Sequence, residues 1–507
     1  MISPEILDGL LLGINAAFTP LHLLAVLAGV IIGTLIGMLP GLGPMSIIAI
    51  MIPVSIKIGD PIGAILMLAG VYYGAIFGGS TSSILINAPG VAGTVATSFD
   101  GYPLARKGMA GKALTVAAIS SFAGGTIGAI LMFGLAPLLS NFALLFHSAE
   151  YFAIMVAGLT AIAAFAGKGN IVKALLMTVI GLALATVGEN AQHSAPRFTF
   201  GILDLQSGVN FITLVMGLFA LGEALSLILD TKKGLASHEK NKEKIVGLRV
   251  TKEEMKSITP VILRQSVMGF LIGVLPGAGA TIASFLGYAV ERNIAPKADR
   301  EQFGKGSLKG LAAPETANNA ACTGSFVPLL TLGIPGSGTT AILLGALIAL
   351  NVAPGPRLMV DRPEIFWSII VSMYFGNVIL LVLNLPLIPY IARILAVPRN
   401  YLIPFVLLFS LLGAYIGQNN ASELIMMVGF GVGALILKKA DFPLPPLIIG
   451  FILGVMLEDN LGRALRKSDG FGFITERPAT LGLLVVAFAL LLAPMILELF
   501  SRQKKTS

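Results

Sequence analysis

Residues 33–43 read GTLIGMLPGLG, and residues 269–279 read GFLIGVLPGAG. Each is an apolar run that stops at the same cluster: Leu39, Pro40, Gly41, Leu42 and Gly43 in the first, and Leu275, Pro276, Gly277, Ala278 and Gly279 in the second. Proline removes a backbone donor and clashes with the preceding turn, and glycine permits the positive φ that redirects a chain. A helix must therefore break at both places. Short apolar segments follow, 45–56 and 281–290, the second opening on Thr281. This pattern predicts a broken or re-entrant helix with its tip at membrane depth.

Two further matches keep the same order. INAPGVAGT (86–94) corresponds to LGIPGSGTT (332–340), and GKGNIVKALLMTVIG (167–181) corresponds loosely to GQNNASELIMMVGFG (417–431). The offsets drift slowly, from 236 to 246 to 250 residues. One glycine-rich match is within reach of chance; three in register indicate a duplicated chain. The expected organisation is a first membrane repeat over 1–229, a polar linker over 230–257 and a second repeat over 258–457. A C-terminal loop, last transmembrane helix and basic tail fill 458–507.

Composition names the solvent. Of 507 residues, 55% are hydrophobic and 12% charged, about half the charged fraction of a soluble protein. Runs such as 21–39, 113–139, 151–166, 211–229, 367–392, 400–417 and 478–499 are long or nearly long enough for a hydrocarbon core of ~30 Å. They are apolar all round rather than striped. The expected class is an all-α polytopic membrane protein. The first span, without a basic n-region or small-residue cleavage site, reads as an anchor. A single cysteine, Cys322, excludes an intrachain disulfide, and His22, His147, His193 and His238 have no metal-ligand spacing. The net charge of +8 resides in loops, which fits the positive-inside rule and not nucleic-acid binding.

The linker 230–257 carries eight Lys/Arg against five Asp/Glu and reads as a cytoplasmic, partly helical connector. Lys168 and Lys173 in the first half match a stretch holding Glu423. Lys438 and Lys439 match one holding only Glu189 and Arg197, and the basic segment 291–309 matches one holding Lys57 alone. Positive loops thus alternate between the halves, which predicts inverted repeats, a common transporter plan. The tail residues Arg502, Lys504 and Lys505 belong in the cytoplasm on this reading.

A second pair of clusters carries the chemistry. The first half offers Gly78, Gly79, Ser80, Thr81, Ser82 and Ser83, then Asn87, Ala88, Pro89, Gly90, Val91, Ala92, Gly93 and Thr94. The second offers Thr331, Leu332, Gly333, Ile334, Pro335, Gly336, Ser337, Gly338, Thr339 and Thr340. Non-helical backbone survives inside a membrane only where it lines a protein cavity. Helix N-termini there aim free N–H groups at carboxylates, and freed carbonyls and hydroxyls coordinate Na⁺. The competing reading, surface loops, fits one cluster better than two repeated pairs.

Asn318 and Asn319 precede the second cluster and either face the cavity or form a helix N-terminal turn at the interface. Glu315 is expected to pair with a base or cap that helix. Glu223 lies two turns before the linker and reads as interfacial. Asp100, followed by Arg106, Lys107 and Lys112, reads as a cytoplasmic turn.

With these residues in view, the chain resembles the large membrane subunit of tripartite tricarboxylate transporters. The resemblance runs from about residue 20 to 490. Its most specific part is YYGAIFGGSTSSILINAPGVAGTVATSFDGYPLARKG (72–108), supported by PGSGTTAILLGALIALNVAPGP (335–356). It implies a small membrane subunit, a periplasmic solute-binding protein that delivers substrate, and a cation gradient as the driving force. It also implies carboxylate substrates, citrate among them, location in the bacterial inner membrane, and a fold like ion-transporter elevator proteins.

The resulting expectation is a cation-coupled carboxylate importer with no organic cofactor, coupled to Na⁺ or H⁺. One half-site uses Pro40, Gly41 and Gly43 with Ser80–Gly93; the other uses Pro276, Gly277, Gly279 and Thr281 with Thr331–Thr340. The alternative is an ion or solute channel with the breaks as a filter, which uphill uptake excludes. An intramembrane enzyme is disfavoured: Cys322 has no nearby histidine, and neither HExxH nor GxSxG occurs.

Overall fold

The computed structural model describes residues 4–165, 170–189, 195–232, 245, 247–396, 399–418, 420–468 and 470–506. Lys168, His193, His238 and most of the linker, 233–244 and 246, lie outside them, as do the side chains of Arg502, Lys504 and Lys505.

The first half comprises α1 (Pro4–Ala17), α2 (Pro20–Gly37), α3 (Pro44–Ile56), α4 (Pro61–Ile86) and α5 (Val95–Leu104). It continues with α6 (Ala110–Ala143), α7 (Ser148–Phe165), α8 (Ile171–Ala185), α9 (Phe211–Val215) and α10 (Gly222–Lys232). A π-helical stretch, Met216–Leu221, joins the last two. The second half opens with α11 (Lys252–Val274), α12 (Gly279–Ile294), α13 (Lys297–Arg300), α14 (Leu308–Gly324), α15 (Phe326–Leu332) and α16 (Gly338–Ala349). It goes on through α17 (Leu358–Asp361), α18 (Pro363–Asn384), α19 (Ile388–Ile391), α20 (Arg399–Gln418), α21 (Ala421–Lys439) and α22 (Pro445–Lys467). Two further helices, α23 (Phe473–Glu476) and α24 (Pro478–Thr506), close the chain. The β-structure among the described residues is one antiparallel pair, Gly188–Glu189 with Pro196–Arg197. Among the described residues, eight helices are long and apolar enough to cross a membrane, and a ninth candidate combines Gly470–Glu476 and Pro478–Leu492 across a 91° bend. The chain is a polytopic all-α membrane protein.

Helix starts follow local chemistry. Pro20, Pro44, Pro61, Pro363 and Pro445 occupy the first turn of their helices, where a missing N–H costs nothing. Asp60 caps α4, accepting from the Gly63 N–H at 2.6 Å, and meets His22 Nε2 at 2.7 Å. Thr251 and Glu254 form a capping box at the start of α11, inside the polar 230–257 segment.

Glycine sets the packing. A β-carbon at Gly29, Gly33 or Gly37 of α2 would stand 2.1–2.5 Å from backbone atoms of Met67, Val71 and Ala75 in α4. Gly269 and Gly273 of α11 meet Ala317 and Ala321 of α14 in the same way. These backbone-to-backbone contacts supply the close van der Waals packing that substitutes for a hydrophobic driving force in lipid. Contact positions rise together in both pairs, so α2 runs parallel to α4, and α11 parallel to α14. Yet α4 and α14, which occupy equivalent places in the repeats, run in opposite directions. Tyr72 meets Ser325, whereas Ser80 meets Glu315. The repeats are therefore inverted, as the charge pattern predicts.

They are also interleaved. Helix α6 packs on α11 and α14, and α18 packs on α2 and α4. Likewise α22 packs on α7 and α8, while α10 and the π-helical stretch pack on α20 and α21. Each half thus completes the core of the other.

Candidate functional site

Four interruptions organise the centre of the molecule. The first follows α2 over 38–43, the second follows α4 over 87–91, the third follows α11 over 275–278, and the fourth follows α15 over 333–337. At the second and fourth, the chain reverses through a left-handed residue at matching positions: Asn87 with φ 51° and Gly333 with φ 69°. Asparagine and glycine are the residue types that tolerate this conformation best. The third is the tip of a hairpin. Arg264 and Gln265 of α11 both donate to Glu291 of α12, across a turn centred on Gly277 with φ 82°.

The interruptions pair as the repeat predicts. The Gly277 N–H donates to the Gly336 carbonyl at 3.0 Å, joining the third to the fourth. Gly90 of the second sits so tightly on the end of α2 that a β-carbon would stand 1.9 Å from the Gly37 oxygen. Gly90 abuts Gly79 and Gly336 abuts Ser325, positions related by the same 246-residue offset. Both loops therefore fold back along their own helices rather than leaving the bundle at the helix ends.

The depth of this fold-back follows. Tyr72 meets Ser325 across the α4–α14 contact, with hydroxyls 3.4 Å apart, and also faces Ser337. Gly79 lies seven residues further along α4, about 10 Å at 1.5 Å per residue. The two loops thus flank the middle of α4, a buried helix of 26 residues, which is membrane length.

Hydroxyls and amides line this centre. Glu315 is fully buried in α14 and accepts from Ser80 Oγ at 2.7 Å, Ser121 Oγ at 2.8 Å and Thr97 Oγ1. Asn318, one turn on, lies against Gly93. Its amide is fully buried, and neither Oδ1 nor Nδ2 has a hydrogen-bond partner among the described residues. Asn319 instead donates to the Glu315 carbonyl at 3.0 Å. Ser337 and Thr340 form a capping box at the start of α16, beside Gly338 and Thr339. Thr94 Oγ1 donates to the carbonyls of Gly79 and Val91, tying the second loop to α4.

Several expectations change. Gly78–Ser83 and Thr331 are helical, not unwound. Ser82 and Ser83 donate to the Gly79 carbonyl, and Thr331 to the Val327 carbonyl, within their own helices, and Ser83 also meets Thr94 Oγ1 at 2.9 Å. Thr81 is buried in α4 and Thr281 opens α12. Gly41 and Asn87 are exposed, Pro40, Gly43 and Pro89 half-buried; Gly41 faces Leu227 and Glu223 of α10. Pro276 and Gly277 are half-buried and Gly279 buried, the last two against Ile162 and Ser337. Pro335 and Gly336 lie buried in the fourth interruption. Asn318 and Asn319 sit in mid-helix, not in an interfacial first turn. Glu315 pairs with hydroxyls, not a base or a helix end. Asp100 is buried in α5, not in a solvated turn. Glu223 forms an ion pair with Lys438. Sequence reasoning missed Tyr72, Thr97 and Ser121, whose places depend on partners from the other repeat. Among the described residues no group of three His, Cys, Asp or Glu side chains comes together.

Asn318→Ala separates binding from support. A buried unpaired polar group costs about 1–3 kcal/mol, so its removal is expected to leave the thermal midpoint unchanged or raised while uptake falls. Thermal unfolding of the purified variant beside an uptake assay checks both; lost stability with intact uptake contradicts the assignment.

The architecture is that of a membrane protein with inverted, interleaved repeats whose interrupted helices flank the middle of the buried helix α4. A family model described as tripartite tricarboxylate transporter TctA family matches residues 23–449. The chain belongs to this transporter family. An Agrobacterium vitis protein described as an uncharacterized 52.8 kDa protein in the TAR-I ttuC' 3'region is 38% identical over 503 residues, covering 99% of this chain and 98% of the relative. A second from the same organism, described as lying in the TAR-II ttuC' 3'region, is 40% identical over 232 residues, 45% of this chain and 95% of its own length. No solved structure matches.

Proposed function

We propose that the chain carries out secondary active, cation-coupled uptake of di- or tricarboxylates across the bacterial inner membrane. The observation that carries this reading is that each inverted repeat brings a pair of interrupted helices alongside the middle of α4. There, α16 begins with the capping residue Ser337, and the N–H groups of Gly338 and Thr339, which the capping box does not use, are suited to a carboxylate. The absence of lysine and arginine from the named centre suits a substrate that must be released again: dipoles and hydroxyls bind an anion without a permanent countercharge. Family membership supports a small membrane subunit and a periplasmic solute-binding protein as partners. The basic composition of the linker and tail supports a cytoplasmic location for both, by the positive-inside rule. Transport proceeds by alternating exposure of the paired interruptions, with sliding of glycine-packed helices in the manner of an elevator.

The test is uptake of radiolabelled di- and tricarboxylates into membrane vesicles from cells expressing the chain with its companion proteins. Imposed Na⁺ and pH gradients are compared. Accumulation above the equilibrium level in one of them is expected. Passive equilibration alone would mark a channel, and no carboxylate entry at all would defeat the reading.

A further inference from the structure

Glu315 is the feature that the transport cycle above leaves unused. It is fully buried near the centre of the bundle, and no Lys, Arg or His among the described residues pairs with it. Three hydroxyls surround it, each from a different element: Ser80 from α4, Thr97 from α5 and Ser121 from α6. Both repeats therefore contribute to one carboxylate. A lone charge in such surroundings is expensive and persists only when neutralised.

Two independent observations indicate that something besides protein satisfies this place. The amide of Asn318, one helical turn from Glu315 on α14, is buried, and neither of its polar atoms has a partner among the described residues. In addition, Ser80 and Ser121 line a small cavity with Thr81 and Asn384. The Asn384 side-chain oxygen is buried and likewise has no partner among the described residues. Among the described residues, two buried amide oxygens thus lack partners, one a helical turn from Glu315 and one in the cavity that Ser80 and Ser121 line, while the carboxylate's side-chain partners are hydroxyls, each with lone pairs to spare.

We propose that Glu315, with Ser80, Thr97 and Ser121, forms the site of one monovalent cation, H⁺ or Na⁺, whose passage drives transport. The inference rests on the coupled uptake proposed above and names the group that does the coupling. The ligand set is all oxygen and carries one negative charge. It suits a hard cation rather than a transition metal, and a single positive charge neutralises it where a divalent ion would leave an excess. The position also explains how ion and substrate sense each other. Thr97 and Gly93 belong to the chain leaving the second interruption, and they contact Glu315 and Asn318 respectively. Filling the cation site fixes the segment that shapes the substrate loop.

The test uses the vesicles described above and the carboxylate with the greatest uptake. Wild type accumulates it under a Na⁺ gradient at equal pH, or under a pH gradient without Na⁺, and that arm identifies the ion. Glu315→Gln, neutral without a cation, is expected to lose accumulation above the equilibrium level. It should still exchange external for preloaded carboxylate, a readout that a collapsed bundle would not preserve. Ser121→Ala, which keeps the carboxylate, is expected to raise the cation concentration that half-saturates uptake. Undiminished accumulation by Glu315→Gln overturns the inference, as does a Ser121→Ala variant with unchanged cation dependence. Should Glu315→Gln fail to insert, the Ser121→Ala result decides. Wild type that accumulates nothing under either gradient defeats the underlying reading instead.

Discussion

Gly90→Ala is expected to reduce the initial rate of uptake by about 100-fold or more, through an overpacking penalty of about 3 kcal/mol at a site that must move. The new methyl would stand 1.9 Å from the Gly37 carbonyl oxygen and 3.0 Å from the Gly79 α-carbon. Both are backbone atoms held by the α2–α4 glycine packing, so neither yields as a flexible side chain would. The second loop must lift away from α4, and with it Gly93 and Thr97. The equivalent Gly336→Ala meets the Ser325 β-carbon at 2.9 Å and the Gly273 oxygen at 3.0 Å. It should lose less, by about tenfold, because a shift of a few tenths of an ångström relieves it. Uptake normalised to inserted protein checks the order. Equal, near-wild-type rates for both would mean that the loops do not sit where they are described.

The second large effect falls on stability. Asp100→Ala should lower the unfolding free energy by about 3 kcal/mol, since it strands two buried donors, the Ser307 N–H and the Tyr288 hydroxyl, and releases two less buried ones. Asp100 Oδ1 accepts from the N–H groups of Gly304, Gly306 and Ser307 at 2.7–2.9 Å, and Oδ2 from the Tyr288 hydroxyl at 3.0 Å. The carboxylate thereby fastens α5, which follows the second interruption, to the loop that leads into α14. A lowered thermal midpoint of the purified variant is the expected result. Unchanged stability would show that this loop is held by its other contacts. The contrast with Asn318→Ala is informative: one buried polar side chain is fully partnered and supports the fold, the other is unpartnered and is assigned to the site.

What the sequence disclosed, and what it concealed, have separate physical causes. The Leu-Pro-Gly-x-Gly repeats were legible because backbone chemistry alone forces a break there, whatever the surroundings. The 246-residue offset also placed Asn87 opposite Gly333, and both prove to be the left-handed residue that ends the helix. The serine-rich run Gly78–Ser83 misled, because a hydroxyl in an apolar stretch looks like unwinding. In fact Ser82 and Ser83 bond to the carbonyl of Gly79 within the helix, which conceals their polarity at no cost in backbone geometry. Glu315 was visible as a residue but not as a centre, since Ser80, Thr97 and Ser121 lie 194 to 235 positions away. Asp100 reads as a turn residue from its basic neighbours, and only the folded 304–307 loop reveals why it is buried.

The central claim of the proposed function, that the carboxylate binds where the two fold-back loops flank the middle of α4, is tested most directly by thiol labelling. Cys322, the single cysteine and buried, is first replaced by alanine. Ala92→Cys and Ser337→Cys are then introduced one at a time, and reaction with a membrane-impermeant reagent is timed in vesicles with and without the transported carboxylate. The account predicts that both positions react from the aqueous phase and that substrate slows both. Thiols that ignore the carboxylate, or that react only with lipid-soluble reagents, would contradict it.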